Sequence, residues 1–190
     1  MDLKNYEKKD VAGVPFLKVL LWYYLGSALV RSGCFPFYRI KVACLRLFGA
    51  TIGKNVVIKP GVRIKFPWKL EIGDYSWVGE DAWIDNLDWV RIGKNVCISQ
   101  GVYLCTGSHD WGDALFGLKT APIVIEDQCW LAAKSAVGPG VTVRQGAILA
   151  LGGVTSKSLE PMKVYRGNPA EFVRERKPAP VSLMFPKACS

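Results

Sequence analysis

An aliphatic residue recurs every six positions through the middle of this chain, and the sixes are grouped into longer repeats. Ile52-Gly53-Lys54-Asn55-Val56, Ile72-Gly73-Asp74-Tyr75-Ser76 and Ile92-Gly93-Lys94-Asn95-Val96 follow at intervals of 20, and Ile125-Glu126-Asp127-Gln128-Cys129 comes 33 residues later. Ile, Leu or Val fills positions 52, 58, 64, 72, 78, 84, 92, 98, 104, 125, 131, 137, 143 and 149 without exception. Four places after each, the side chain is Val, Ser, Ala, Cys or Gly in twelve cases, Trp68 and Asp88 being the exceptions. Neither a helix nor an alternating strand has this period. A coil of three short strands does, with the aliphatic residue inside and the small residue at the corner. Glycine directly after the aliphatic residue, at 53, 73, 79, 93 and 138, suits a backbone that bends there. Three sixes make 18 residues, so a spacing of 20 predicts one turn of a parallel β-helix with a two-residue bulge at one corner.

The flanks lack this pattern and divide the chain into a helical cap over 1–50, the β-helix over 51–156 with a loop inserted at 109–122, and a C-terminal stretch over 157–190. Ile40, Cys44, Leu47 and Phe48 stand at helical spacing, which predicts a short amphipathic helix with those residues inside. The stretch from Phe16 to Val30 is apolar nearly all round. It is expected to pack as a cap on the open end of the coil, where bare strand edges would otherwise be exposed; burial against another subunit and a membrane interface are the other readings. Its longest uncharged run, Val19 to Val30, falls well short of the roughly 20 residues that cross a bilayer. No secretory leader is expected. Residues Ala170 to Lys177 are expected to make one or two helical turns, ended by Pro178 and Pro180, before a loose tail.

The charge is +9, concentrated toward both ends, without a dense Lys/Arg stripe interleaved with aromatics. That argues against nucleic acid and for small anionic ligands or a membrane surface. The six cysteines form no CxxC pair and read as reduced core residues of a cytoplasmic protein. A single histidine, His109, excludes any metal site built from several histidines, the three-histidine zinc centre of a γ-type carbonic anhydrase among them.

The six-residue pattern over 51–174 resembles the hexapeptide-repeat acyltransferases. Phe66-Pro67-Trp68-Lys69-Leu70-Glu71-Ile72-Gly73, Trp83-Ile84-Asp85-Asn86, Thr106-Gly107-Ser108-His109-Asp110-Trp111 and Gly167-Asn168-Pro169-Ala170 resemble, more narrowly, the colanic-acid-type exopolysaccharide acetyltransferases. The resemblance implies a left-handed parallel β-helix, a homotrimer, and transfer of acetyl from acetyl-CoA to a saccharide hydroxyl, on an acceptor that is lipid-linked in one version of this reading. Two alternatives stand beside it: N-acetylation of an amino sugar, and a β-helix that assembles with partners and catalyses nothing.

His109 stands where the 20-residue spacing breaks, immediately before the inserted loop. A rigid scaffold carrying a loop is a common setting for catalysis. A sugar hydroxyl must lose its proton as it attacks a thioester, and an imidazole, ordinarily titrating near pH ~6.5, suits that task as general base. Residues 20 apart should lie one coil apart, which puts Asp88 under Ser108 and Trp89 under His109. Asp88 therefore has two readings, as the carboxylate that orients the imidazole or as a structural corner cap, and Asp110 is another candidate partner. The family resemblance instead assigns Asp85 and Asn86 to acceptor binding, with Trp111 on the inserted loop beside them. It also carries the acetyl-CoA contacts onto Ala133, Leu151 and Ser156, with Lys157 and Arg174 near the CoA phosphates. Leu151 departs from the small residue usual in the family. No metal is implied.

Overall fold

All fourteen aliphatic residues of the repeat are buried in a computed structural model that describes residues 3–6, 10–33 and 37–177. They lie on short strands that stack, coil on coil, into three parallel sheets. The first contains Thr51–Ile52, Leu70–Ile72, Val90–Ile92, Ile123–Ile125 and Thr142–Val143. The second runs through Val57–Ile58, Trp77–Val78, Cys97–Ile98, Trp130–Leu131 and Ile148–Leu149. The third consists of Arg63–Ile64, Trp83–Asp85, Tyr103–Cys105, Ala136–Val137 and Val154–Thr155. Register advances by 20 residues at Ile52↔Ile72 and Ile84↔Leu104, by 33 at Ile92↔Ile125 and by 18 at Ile125↔Val143. The result is a left-handed parallel β-helix in which like residues stack along the axis. The coil from Ile125 to Val143 has no two-residue bulge.

The corners differ from expectation in one respect. The backbone turns through left-handed φ at Asn55, Tyr75, Asn95 and Gln128, three residues beyond the aliphatic slot rather than one. The glycines after the aliphatic residue meet a different constraint. A Cβ on Gly73 would lie 2.6 Å from the carbonyl carbon of Gly93, because successive coils stack there backbone to backbone. Asp74 and Asp127 close the same corners, each accepting at 2.7 Å an N–H of the preceding coil, from Lys54 and Lys94 respectively.

At the N-terminal end α1 (Phe16–Leu21) continues through one π-helical turn (Trp22–Gly26) into α2 (Ser27–Arg31). Only the stripe Trp22, Gly26 and Val30 is buried. Trp22 donates its indole N–H to the Ile64 carbonyl at 3.2 Å and meets Phe48 edge-on. The expected cap thus forms along one face of this segment, while Phe16, Leu17, Leu21, Tyr23, Tyr24 and Leu25 stay exposed. Helix α3 (Tyr38–Leu47) forms as expected, with a rotated inner face: Lys41, Val42 and Leu45 are buried, whereas Ile40 and Leu47 face outward. Lys41 is accommodated because its ammonium donates to the Ser32 carbonyl at 3.0 Å. Burial draws its pKa below the usual lysine range.

The C-terminal stretch corrects two expectations. The coil continues past residue 156, with Leu159 bridging Val143 and Lys163–Arg166 joining the second sheet at Ile148↔Val164. The residues expected to be helical form a strand instead, Glu171–Glu175, antiparallel to Lys163–Arg166. So short a helix is marginal by itself, whereas the last coil offers an open strand edge with unpaired N–H and C=O groups. The thiols of Cys44, Cys97, Cys105 and Cys129 are free, and of these only Cys129 is fully buried. Cys34, Cys189 and the expected loose tail lie outside the described residues.

Candidate active site

The inserted segment is a β-hairpin. Gly107–His109 pairs antiparallel with Leu118–Thr120, so that Ser108 opposes Lys119 and His109 opposes Leu118. Gly107 allows the hairpin to leave the coil, since a Cβ there would lie 2.6 Å from the Leu87 side chain. The carboxylate of Asp113 organises the hairpin's end, accepting N–H groups from Leu115 at 3.0 Å and Gly117 at 3.1 Å. Phe116 between them takes a left-handed φ of 52°.

That turn aims the Phe116 carbonyl at His109, whose Nδ1 lies 2.8 Å from it. The two rings also stack, with centroids 4.1 Å apart and planes within 5°. A carbonyl oxygen can only accept, so in the neutral imidazole Nδ1 carries the proton and Nε2 keeps its lone pair. This is the form a general base requires. Tyr6, from the N-terminal segment, brings its ring within 5.9 Å of the imidazole.

Asp88 does not make the contact to Nδ1. Its Oδ1 accepts the N–H of Trp89 at 2.7 Å, and its own N–H donates to Thr106 Oγ1 at 3.0 Å, so the geometry matches the corner cap. Asp110 pairs with Lys119 at 2.7 Å; the Lys119 hydrogen bond, with help from the N–H of Gly112, holds its carboxyl below the usual range. Trp111, at the hairpin tip, is 93% exposed.

Asn86 is fully buried, and all four of its hydrogen-bonding positions act within the fold. Its oxygen accepts from the N–H groups of Lys65 and Phe66, and its amide donates to the carbonyls of Phe66 and Lys69. It clamps the bulged corner of the preceding coil, which leaves no group for an acceptor. Asp85 faces outward, 3.0 Å from Lys65 Nζ and accepting from the Tyr103 hydroxyl at 3.3 Å. Burial, more than its neighbours Cys105 and Asp85, pushes the Tyr103 phenol above its usual range.

The residues matched to acetyl-CoA fall into three places. Ala133 and Leu151 share the corner between the second and third sheets, where the Gly152 N–H donates to the Ala133 carbonyl, and Leu151 is exposed. Ser156 and Lys157 follow the last strand of the third sheet, at the same end of that sheet as Asp85 and Cys105. Arg174 lies on the terminal strand, opposite Val164. Sequence reasoning missed Phe116 and Asp113. An aspartate two residues before Leu115 and four before Gly117 is a turn signature, but nothing local says what the turned carbonyl meets.

No family model matches the chain. Over 176 residues, 92% of this chain and 97% of the relative, it is 45% identical to WcaF of Escherichia coli (strain K12), which carries the name colanic acid biosynthesis acetyltransferase. The chain belongs to that family. Two solved structures share its fold. The hexapeptide-repeat acetyltransferase VCA0836 of Vibrio cholerae O1 biovar eltor, complexed with acetyl-CoA, superposes with a TM-score of 0.80 at 21% identity, covering 93% of this chain and 96% of that one. A galactoside acetyltransferase in complex with coenzyme A gives a TM-score of 0.75 at 22% identity, covering 85% and 82%. Family membership makes this chain an acetyltransferase, and the solved structures place its fold among hexapeptide-repeat enzymes.

Proposed function

We propose that the enzyme transfers acetyl from acetyl-CoA to a hydroxyl of a saccharide in surface polysaccharide biosynthesis, with His109 Nε2 as the general base. The observation that carries the mechanism is the contact between His109 Nδ1 and the Phe116 carbonyl, which assigns the lone pair to Nε2. As the hydroxyl oxygen bonds to the thioester carbonyl carbon, Nε2 takes the hydroxyl proton. The C–S bond then breaks, the CoA sulfur leaves and receives that proton from Nε2, and the imidazole returns to its starting form. Direct transfer needs no covalent acyl-enzyme once both substrates are held together.

Asp85 would take part in acceptor binding in this reading, its carboxylate lying on the outer side of the coil, largely covered by Lys65 and Tyr103 and one coil from Cys105, and the exposed Trp111 offers an aromatic face at the hairpin tip. Ala133, Leu151 and Ser156 would line the pantetheine path, with Lys157 and Arg174 toward the phosphates. The chain would work as a homotrimer, in the cytoplasm beside the inner face of the cell membrane, on a lipid-linked acceptor. His109→Ala should lower turnover by about 10²–10⁴-fold while acetyl-CoA still binds by calorimetry. Retained turnover would remove His109 from the chemistry, and absence of acetyl-CoA binding in the unaltered protein would favour a non-catalytic assembly role.

A further inference from the structure

From Val11 to Leu70 the chain has no acidic residue and ten basic ones: Lys18, Arg31, Arg39, Lys41, Arg46, Lys54, Lys59, Arg63, Lys65 and Lys69. The fold gathers the described residues of this stretch at one end of the molecule, because α1 to α3 pack on the first coil and that coil spans residues 51–70. The same end carries the exposed apolar face. Trp22, Gly26 and Val30 point inward, while Phe16 is 74% exposed, Leu17 66% and Leu25 64%, with Leu21, Tyr23 and Tyr24 beside them. Leu17, Leu21, Tyr24 and Leu25 recur at helical spacing, so they form a stripe rather than scattered positions. Tyr23 joins that face to a cleft of about 770 Å³, lined also by Arg31, Arg63 and Asp81.

We infer that this end of the β-helix docks on a bilayer of anionic phospholipid, with the segment Phe16–Arg31 lying in the headgroup interface. A helix that lies on a membrane needs an apolar face, a basic surround and aromatic residues at the boundary, and all three are present together here. Among the described residues no helix is long and apolar enough to cross a membrane, so the segment lies on the surface. A second copy of the chain is the poorer occupant. Self-association through this end would bring two sets of positive charges together with no acidic partner from the same stretch. Lys41 and Lys65 do not count toward the outer field, the first being buried against Ser32 and the second paired with Asp85.

The inference names the surface behind the membrane placement proposed above and rests on that placement, though not on the chemistry at His109. Co-sedimentation of the full chain with vesicles of phosphatidylcholine alone, and of phosphatidylcholine mixed with phosphatidylglycerol, tests it directly. Binding is expected to the mixed vesicles only, weakening as salt is raised. The exposed triple variant Leu17→Gln/Leu21→Gln/Leu25→Gln should bind at least about tenfold more weakly, and Arg31→Gln/Arg39→Gln about tenfold or more. Both should keep the circular dichroism spectrum, melting temperature and acetyl-CoA affinity of the parent. Failure of the parent to bind mixed vesicles, or equal binding by the triple variant, overturns the inference. A smaller assembly for the triple variant by light scattering, without loss of vesicle binding, would make the face a subunit contact and overturn it as well. Loss of acetyl-CoA binding in the parent would count against the enzymatic reading alone.

Discussion

The imidazole of His109 is held by the backbone of Phe116, seven residues further along the same hairpin, at 2.8 Å from Nδ1 to the carbonyl oxygen. Phe116 in turn depends on Asp113, whose carboxylate fastens the N–H groups on either side of it. Asp113→Ala should therefore loosen the carbonyl that fixes the tautomer. The expected outcome is a turnover number lowered about tenfold or more with the KM for acetyl-CoA unchanged; Asp113→Asn, which keeps an acceptor for only one of the two N–H groups, should recover only part of the loss. Steady-state kinetics of the two variants checks this, and equal rates for Asp113→Ala and the parent would refute it.

Asp88 gives a contrasting case. Its Oδ1 accepts the N–H of Trp89, a task an amide oxygen performs equally well. Asp88→Asn should leave turnover within about twofold of the parent, whereas Asp88→Ala should lose about 1 kcal/mol of stability by removing the cap. A large fall in turnover for the asparagine variant, with the fold intact, would restore Asp88 to the mechanism.

The bulged corner under the hairpin is clamped by Asn86, buried and bonded at all four positions. Asn86→Ala should cost about 3 kcal/mol or more, since several backbone groups lose their partner in a buried setting. Gly73→Ala should be comparably damaging for a different reason, its new Cβ falling 2.6 Å from the Gly93 carbonyl carbon. Chemical denaturation of each variant gives the comparison; a loss below about 1 kcal/mol for either would show that the coil can relax around it.

Cys129 links the core to pH. Burial is the main cause pushing its thiol up to about 11, from an ordinary value of 9.0. The fold favours the neutral thiol, so this contribution to stability is fully present below pH 9 and is lost as pH rises through about 11. Other groups titrate in the same window, and the comparison with Cys129→Ala isolates the thiol. The parent should lose stability more steeply than the variant between pH 9 and 11, as measured by thermal melts across that range; parallel curves would sink the assignment.

Much of this fold was legible because a β-helix is a local rule applied repeatedly. Each set of three aliphatic slots specifies one coil, and stacking like on like places Ile84 against Leu104 by counting alone. The same counting located His109 at the break in the period. Counting gave the wrong reason for Gly73, whose constraint comes from the backbone of the next coil and not from a bend in its own. It also misread Ile40 and Leu47, because helical spacing allows more than one inner face and packing on the first coil selected the one with Lys41, Val42 and Leu45.

The sequence by itself determined the β-helix, its register of twenties, and the single imidazole at the interruption, since each follows from residue type at fixed intervals. Only the tertiary structure decided which groups surround that imidazole and what each neighbour does. Asp88, one coil away by count, turned to its own backbone, while Phe116, far from any periodic slot, supplied the contact to Nδ1. The difference is physical: side-chain burial repeats with the coil, but the direction of a carbonyl or a carboxylate is set by the φ and ψ of one turn and by whichever donor stands nearest.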